Sequence, residues 1–426
     1  MIQQLPRLKD LSFLIYGLGL SGLSVVKFFK KNKFKNFKVW DDNQKYLLKK
    51  YRTTNLERTL KQVDYIVLTP GISLIKNKNL KKFKKKIITD IDLFYLSKNN
   101  FKSIVVTGTN GKSTTCKLMA HLLKKNKVNF SLGGNIGIPI LDLMNVKSKY
   151  IIIEISSFQL SHSQFIKPDF AFLLNITNDH LDWHGNKNNY LNSKFKIFKL
   201  QNRTNYAFSS KKFKPIFKKK NFLGKFVSPK INQYKKIKQK IENDYLNSNI
   251  NDENMSYVYS FAGFLRISDS SFIKAMNTFK GLPHRFEIFL KKKNITFIND
   301  SKATSFDATK SALSSLKNIY WVLGGLPKKG DKIKLSVYRK NIIKCYIIGK
   351  NINFFKNQIK GKVIFEITKN LKNTVIKILK DINSQKKSNK SILLSPAAAS
   401  FDQFNNFEKR GEEFKRLCKL YVRKHI

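Results

Sequence analysis

Short apolar runs recur along the chain, and nearly all of them stop on Gly, Ser, Thr, Asn or Asp. Leu11–Tyr16, Lys38–Trp40, Tyr65–Thr69 and Ile87–Thr89 form a first set; Ile104–Thr107, Tyr150–Ile155 and Phe170–Asn175 a second; Thr296–Ile298, Ile319–Leu323, Lys344–Ile348 and Ser391–Leu394 a third. Runs this short and rich in Val, Ile and Phe predict buried strands. Helical spacing appears over Ser21–Lys31, after Lys112, over Asn251–Leu265 and in the tail Phe407–Ile426, which is amphipathic with Arg410 near its start. Strands alternating with helices predict an α/β chain of parallel sheets, and the length fits three domains, 1–92, 93–281 and 282–426. The last boundary falls at the turn Gly281-Leu-Pro283-His284-Arg285. Two stretches read differently: Gly133-Gly134-Asn135-Ile136-Gly137 as a turn, and the Lys/Phe/Ile-rich Lys211–Lys240 as peripheral strands and loops without chemistry.

The chemistry lies where strands end. Ile104 to Cys116 reads Ile-Val-Val-Thr-Gly-Thr-Asn-Gly-Lys-Ser-Thr-Thr-Cys: a strand, a phosphate loop and a helix start. Small residues let backbone N–H groups converge on phosphate oxygens, the helix N-terminus adds partial positive charge, Lys112 a full charge, and Ser113 a hydroxyl suited to Mg²⁺. Val106 stands where the eight-residue P-loop pattern has its first glycine, so the match is to a shorter variant, TGTNGKST. One strand further, Glu154-Ile-Ser156-Ser157-Phe-Gln159 follows an apolar run, and Asn178-Asp179-His180 follows the next. An acid, then an acid and a histidine, at the C-terminal edges of neighbouring parallel strands suit a metal-assisted phosphate site. His184 and His162 carry less, and His162 reads as ordinary surface.

The first run enters Gly17-Leu-Gly19-Leu-Ser21-Gly22, and the next strand ends at Asp41-Asp42, which satisfies the dinucleotide fingerprint. No hydride-transfer residues accompany it, so the glycine loop is read as a seat for another phosphate-bearing nucleotide. Thr69-Pro70-Gly71 is a turn that can face the same crevice. In the third set, the strands run into Asn299-Asp300-Ser301-Lys302-Ala303-Thr304-Ser305, Gly324-Gly325-Leu-Pro-Lys328-Lys329-Gly330, Gly349, and Ser395-Pro-Ala-Ala-Ala-Ser400-Phe-Asp-Gln-Phe404. Four strand ends loaded this way mark one sheet edge as a ligand face.

Composition changes this picture little. The formal charge of +56 invites a nucleic-acid reading, since phosphate neutralisation dominates such binding. Against it, lysines are spread from end to end, Arg is scarce, and Lys comes with abundant Asn, Ile and Phe, as in codon drift toward A/T. No specific nucleic-acid partner is expected. Cys116, Cys345 and Cys418 are far apart and lack metal-ligand spacing, which suits a reducing compartment. No apolar run reaches the ~18 residues of a membrane helix, and no signal peptide is visible, so a soluble cytoplasmic protein is expected.

Assembled, these residues resemble the Mur ligase family over essentially the whole length. TGTNGKST, Glu154 and Asp179-His180 are shared by the family; Asp300-Ser-Lys-Ala-Thr304 and Ser-Pro-Ala-Ala-Ala-Ser400-Phe-Asp-Gln-Phe belong to the members that add D-glutamate. The resemblance implies a Rossmann-like UDP-binding N-terminal domain, a central P-loop ATPase-type domain and a C-terminal Rossmann-like ligase domain. It implies amide-bond formation driven by ATP, through an acyl phosphate of UDP-N-acetylmuramoyl-L-alanine that the amine of D-glutamate attacks. Such chemistry needs charge neutralisation more than a nucleophilic side chain.

By the same resemblance Gly108, Thr109, Asn110, Gly111, Lys112, Ser113 and Thr114 hold the phosphates, while Asn251, Asn254, Arg285 and Asp300 hold base and ribose as the third domain closes on the second. Magnesium, expected at two sites, falls to Ser113, Glu154, His180 and Lys194; the last, in Tyr190-Leu-Asn-Ser-Lys194, would act as an Nζ-carbamate. Lys112, Glu154, His180 and Lys194 are thus the catalytic set. D-glutamate falls to Lys302, Thr304, Lys328 (or its neighbour Lys329), Ser400 and Phe407, with Arg410 supporting the loop. The UDP substrate falls to Gly17, Leu20, Ser21, Asp41, Thr69, Gly71, Asn135, Ser156 and Gln159. Where members of the family often carry Thr-Arg after that Asp, this chain has Asp42-Asn43. A monomer is expected. The rival enzyme readings are a Mur-type or folylpolyglutamate-type ligase with another amino-acid acceptor; the latter would lack the UDP-type first domain.

Overall fold

The computed structural model describes residues 8–43, 48–97, 101–145, 147–177, 179–247, 251–328, 330–383 and 389–425; Asn178, Lys329 and Ile426 lie outside them. Three sheets carry the chain. The first has β1 (Phe13–Tyr16), β2 (Phe37–Trp40), β3 (Tyr65–Leu68) and β4 (Ile87–Ile88) in the order β2-β1-β3-β4. The second has β5 (Lys102–Thr107), β6 (Phe130–Gly134), β7 (Tyr150–Glu154), β8 (Phe170–Leu173), β9 (Tyr206–Ser209) and β10 (Lys225–Val227) in the order β10-β9-β8-β5-β7-β6. Both are wholly parallel. In the third, β11 (Glu287–Lys292), β12 (Ile295–Asn299), β13 (Ile319–Gly324), β14 (Ile342–Ile348), β15 (Phe365–Lys369) and β16 (Lys390–Leu394) run β11-β12-β16-β13-β14-β15, with only β11 antiparallel.

Unbroken apolar runs make sense in sheets covered on both faces. Along β13, Ile319, Trp321 and Leu323 enter one core while Tyr320 and Val322 enter another on the opposite face. In β1, Phe13 and Ile15 point to one core and Leu14 and Tyr16 to a second. Parallel strands have this property because their crossover helices pack on both faces.

The chain forms two compact units, Met1–Lys238 with Glu253–Met276, and Gln239–Asp252 with Asn277–Ile426. The first unit contains the first two sheets because one core runs through both, from Phe13, Val25 and Phe29 to Val105, Ile140 and Ile153. A polar seam reinforces it. The helix Asp90–Leu96 opens with a capping box in which the Asp92 carboxylate accepts from Thr89 N, and the other oxygen of Asp92 accepts from Gln164 N at 2.8 Å and Phe165 N at 2.6 Å. Burial pushes this carboxyl up to about 6.

Three expectations are corrected. Lys211–Lys240 is mostly helical, with Lys214–Lys219 and Ile231–Lys238 flanking the single strand β10; buried Phe213, Phe217, Tyr234 and Ile237 recur at helical spacing that the lysines obscure. Gly133 and Gly134 close strand β6 before the turn begins, because a Cβ on either would meet backbone of a neighbouring segment. His162 is buried, its Nε2 3.0 Å from Ile72 O, and desolvation pushes it down to about 4.

Candidate active site

The phosphate loop leaves β5 and enters the helix Lys112–Lys125 through Gly111, whose φ of 82° favours glycine. A Cβ there would also lie 2.2 Å from Asn254 Oδ1, so the loop packs directly on the helix Asp252–Phe264. The loop is held by the segment just past β8: Asn110 N donates to Asn175 Oδ1 at 2.9 Å, Thr109 N to Asn175 O at 3.0 Å, and Thr109 Oγ1 accepts from Thr177 N at 3.0 Å. Glu253 accepts from Asn175 Nδ2 at 2.8 Å, and burial raises its carboxyl. Lys112 folds over the loop, Nζ donating to Gly108 O and Thr109 O at 2.8 Å each. Ser113 and Thr114 are buried at the helix start.

Lys194 reaches the same loop from the helix Lys187–Phe195. It is 1% exposed, donates from Nζ to Gly108 O at 2.8 Å, and lies 4.8 Å from the centroid of the Tyr190 ring. Tyr190 OH in turn meets Thr109 Oγ1 at 2.8 Å. Burial, then the Lys112 charge, holds the Lys194 amine well below its ordinary range. Two ammonium groups sharing one carbonyl would repel; a neutral Lys194 relieves this.

Glu154 ends β7 and is 2% exposed. Its Oε1 accepts from Asn135 Nδ2 at 2.8 Å, while Oε2 is buried without a hydrogen-bond partner among the described residues. A buried carboxylate oxygen left bare is costly unless a cation meets it. His180 has φ 53° at the start of the short helix Leu181–His184; Asp179 Oδ1 accepts from its backbone N, Oδ2 lies 3.4 Å from its Nε2, and its ring packs 4.7 Å from Phe158. Among the described residues no three His, Cys, Asp or Glu side chains gather as a ready metal cluster. Behind His180, His184 donates to or accepts from Ser157 Oγ at 3.0 Å and burial pushes it down to about 4. Ser156 and Gln159 form a capping box on the helix Ser157–His162.

In the first sheet, Gly17 has φ 95° and a Cβ there would lie 2.0 Å from Thr69 Oγ1, so the glycine loop and the Thr69-Pro70-Gly71 turn are in close contact. Leu20 projects from the helix start, 84% exposed, next to the half-buried Ser21. Asp41 turns back on the loop: Oδ2 accepts from Leu18 N at 2.5 Å and Oδ1 from Asn43 N at 2.8 Å.

In the second unit, Asp300 follows β12. Its Oδ2 accepts from Ser395 Oγ at 2.8 Å and Oδ1 from Phe286 N at 3.1 Å, and desolvation pushes the carboxyl up to about 7. Arg285 lies between His284 and Phe286, both at positive φ. Lys302 Nζ sits 3.6 Å over the Phe407 ring, and Ser301 Oγ donates to Phe407 O at 2.8 Å, so two expected glutamate contacts are neighbours. Arg410 is 1% exposed and donates to Ser301 Oγ at 3.0 Å, to Ser301 O and Ala398 O at 2.9 Å, and to Gly324 O at 3.5 Å. It stitches the ends of β12, β13 and β16. Thr304 and Lys328 are half-buried and Ser400 is buried on those same loops. Asn251, expected to open the helical run that carries Asn254, instead precedes the helix and donates from Nδ2 to Tyr245 O at 2.8 Å. Sequence reading passed over Asn175, Glu253 and Tyr190; the first is the polar residue just past β8, a signal of the same kind as Glu154.

Against known families, residues 106–263 match the Mur ligase middle domain and residues 12–91 the Mur ligase MurD-like N-terminal domain. The chain belongs to the Mur ligase family. Within it, the chain is 36% identical to the UDP-N-acetylmuramoylalanine–D-glutamate ligase of Rickettsia prowazekii (strain Madrid E), covering 96% of this chain and 97% of that one. It is 34% identical to the ligase of the same name from Buchnera aphidicola subsp. Schizaphis graminum (strain Sg), covering 95% and 97%. Among solved structures, MurF ligase of Thermotoga maritima in complex with ADP covers 98% of this chain and 97% of its own at 16% identity and a TM-score of 0.57. MurF of Acinetobacter baumannii covers 98% of each at 13% identity and a TM-score of 0.58. These two likenesses are of fold.

Proposed function

We propose a division of labour for the reaction this chain carries out, the ATP-dependent ligation of D-glutamate to UDP-N-acetylmuramoyl-L-alanine in peptidoglycan precursor synthesis. Identity to D-glutamate ligases along nearly the whole length carries the activity. The three domains 1–92, 93–281 and 282–426 take the UDP substrate, ATP, and amino acid with ATP, respectively. The phosphate loop Gly108–Thr114 grips the ATP phosphates, with Lys112 released from its carbonyls to pair with them, and Asn251, Asn254, Arg285 and Asp300 serve base and ribose. The substrate carboxylate takes the γ-phosphoryl group, D-glutamate's amine attacks the acyl carbon, and the C–O bond to phosphate breaks as the amide forms. Leu20, Ser21, Thr69 and Gly71 serve the UDP portion, with Asn135, Ser156 and Gln159 toward the acyl end.

Magnesium, expected at two sites, would supply neutralisation of phosphate charge. Ser113, Glu154, His180 and Lys194 as a carbamate would hold it, and Glu154 Oε2, bare among the described residues, supports this. Lys302, Thr304, Lys328, Ser400 and Phe407 orient D-glutamate, and Lys328→Ala should raise its KM about tenfold or more while leaving that for ATP near wild type. Equal effects on both would displace Lys328 from this role. Among the described residues no helix is long and apolar enough to cross a membrane; a monomer working in the cytoplasm fits these substrates. The deciding assay is ATP-dependent phosphate release with UDP-N-acetylmuramoyl-L-alanine. Release should require D-glutamate, and release on L-lysine or diaminopimelate instead would overturn the acceptor.

A further inference from the structure

The asparagine that receives the phosphate loop is itself held by an acid from another element. Asn175 Oδ1 accepts from Asn110 N at 2.9 Å, and the opposite end of the same amide, Nδ2, donates to Glu253 Oε2 at 2.8 Å. A side-chain amide has a donor end and an acceptor end, and the end that faces the loop decides whether the loop N–H is matched or opposed. A backbone N–H only donates and a carboxylate only accepts, so together they admit one orientation of Asn175. Glu253 stands in the first turn of the helix Asp252–Phe264, where the helix N-terminus favours an ionised acid. That helix is fastened on both sides of the pair. Tyr257, one turn further on, is buried, and its hydroxyl donates to Leu173 O at 3.2 Å and Leu174 O at 3.1 Å, the residues that lead into Asn175. Asn254 fills the space beside Gly111 that a Cβ would need, and its Oδ1 accepts from Thr115 Oγ1 at 3.3 Å. One helix turn therefore reaches two consecutive loop residues: Gly111 directly, and Asn110 through Asn175.

We propose that Glu253 is a positioning residue for ATP, which locks the Asn175 amide and through it holds Asn110 and the phosphate loop in the shape that receives phosphate. This rests on the reading that Gly108–Thr114 takes the ATP phosphates. The intermediary has a physical purpose. A carboxylate set directly on the loop would repel a triphosphate, whereas an amide between them presents an acceptor to the loop N–H without the charge. If Asn175 turns over, its Nδ2 meets Asn110 N, donor against donor, and the loop has to shift. Part of the binding free energy of ATP then goes into restoring the loop, which lowers affinity without removing any group that touches the nucleotide.

The test is calorimetric titration of the full chain with MgATP, with the KM for D-glutamate and for UDP-N-acetylmuramoyl-L-alanine measured alongside. Glu253→Ala should weaken ATP about fivefold or more, the order of one lost hydrogen bond, while both KM values stay within about twofold of wild type. Glu253→Gln keeps a carbonyl for Asn175 Nδ2, so its ATP affinity should stay within about twofold of wild type. An exchange of polarity decides the matter. Asn175→Asp at about pH 8, where carboxyls are ordinarily ionised, sets two acceptors against each other and should weaken ATP about tenfold or more. Adding Glu253→Gln turns an amide donor toward the new carboxylate and should recover about threefold or more of that loss, the remainder reflecting a charge beside the phosphates. A double variant no better than Asn175→Asp alone overturns the proposal, as does a Glu253→Ala protein with wild-type ATP affinity. Glu253→Ala raising all three constants together also overturns it, since that is general loosening of the unit. Lys112→Ala tests the underlying reading: ATP affinity unchanged in that variant would remove the loop as the phosphate seat, and the proposal with it.

Discussion

Lys194→Ala should lower ATP-dependent phosphate release by a factor of about 10³, with the protein folded and still able to bind ATP. The magnitude is that of losing one preorganised electrostatic partner of a developing phosphate charge. Ordinary lysine loss cannot account for so large an effect, because the wild-type amine is buried beside Lys112 and held well below its ordinary range. A neutral amine adds to CO₂, forming an N–C bond and losing one proton, and the carbamate that results is an anion with two ligand oxygens. Its nitrogen keeps one hydrogen, which is enough for the 2.8 Å bond to Gly108 O. On this expectation the side chain changes from neutral amine to metal ligand while keeping that hydrogen bond. Short-chain carboxylic acids should restore part of the activity of Lys194→Ala by filling the cavity with a carboxylate, whereas amines should not. Rescue by amines, or wild-type activity indifferent to removal of CO₂, would return Lys194 to the role of a simple cation.

This residue also shows how much of the site could be read from the chain. On spacing alone Lys194 is one lysine among many, and only its likeness to a family segment singled it out; burial and the contact with Gly108 O are long-range facts. The phosphate loop and the strand ends were legible because their signal is local: an apolar run, small residues, then a helix start. Asn175, reached by the loop's own N–H groups, was passed over because its role depends on β8 lying next to β5 in the sheet. Lys211–Lys240 was misread for a different reason. Lysine at most surface positions removes the acid–base alternation that usually marks a helix face, and the buried Phe213, Phe217, Tyr234 and Ile237 carry the pattern alone. His162 failed in the same way, since a polar residue on a short helix gives no local sign that Ile72 will cover it.

Arg410→Ala should be the most destabilising single change in the second unit. The guanidinium is 1% exposed and serves four acceptors: Ser301 Oγ, Ser301 O, Ala398 O and, at 3.5 Å, Gly324 O. Burial pushes it down only to about 10, so it remains charged at neutral pH, and the carbonyls that receive it are what offset its desolvation. Alanine leaves those acceptors buried and unmatched, at about 1–3 kcal/mol each, and opens a cavity besides. A loss of about 4–6 kcal/mol is expected, large against the ~5–15 kcal/mol by which domains are usually stable. Lysine keeps a charge but has no planar fork to reach three loop ends, so Arg410→Lys should recover only part of the loss. Urea unfolding followed through the buried Trp321, which donates to Ser395 O at 2.7 Å on one of the stitched loops, would measure both. The functional consequence is separable from the structural one. Ser301 precedes Lys302 and Ala398 lies two residues before Ser400, so loosening the stitch should raise the KM for D-glutamate in Arg410→Lys at temperatures where that variant is folded. ATP affinity, which the proposed roles assign largely to the phosphate loop of the other unit, should hold. A variant with wild-type unfolding midpoint would mean that water or neighbouring side chains satisfy those carbonyls, and that the three strand ends keep their places without the guanidinium.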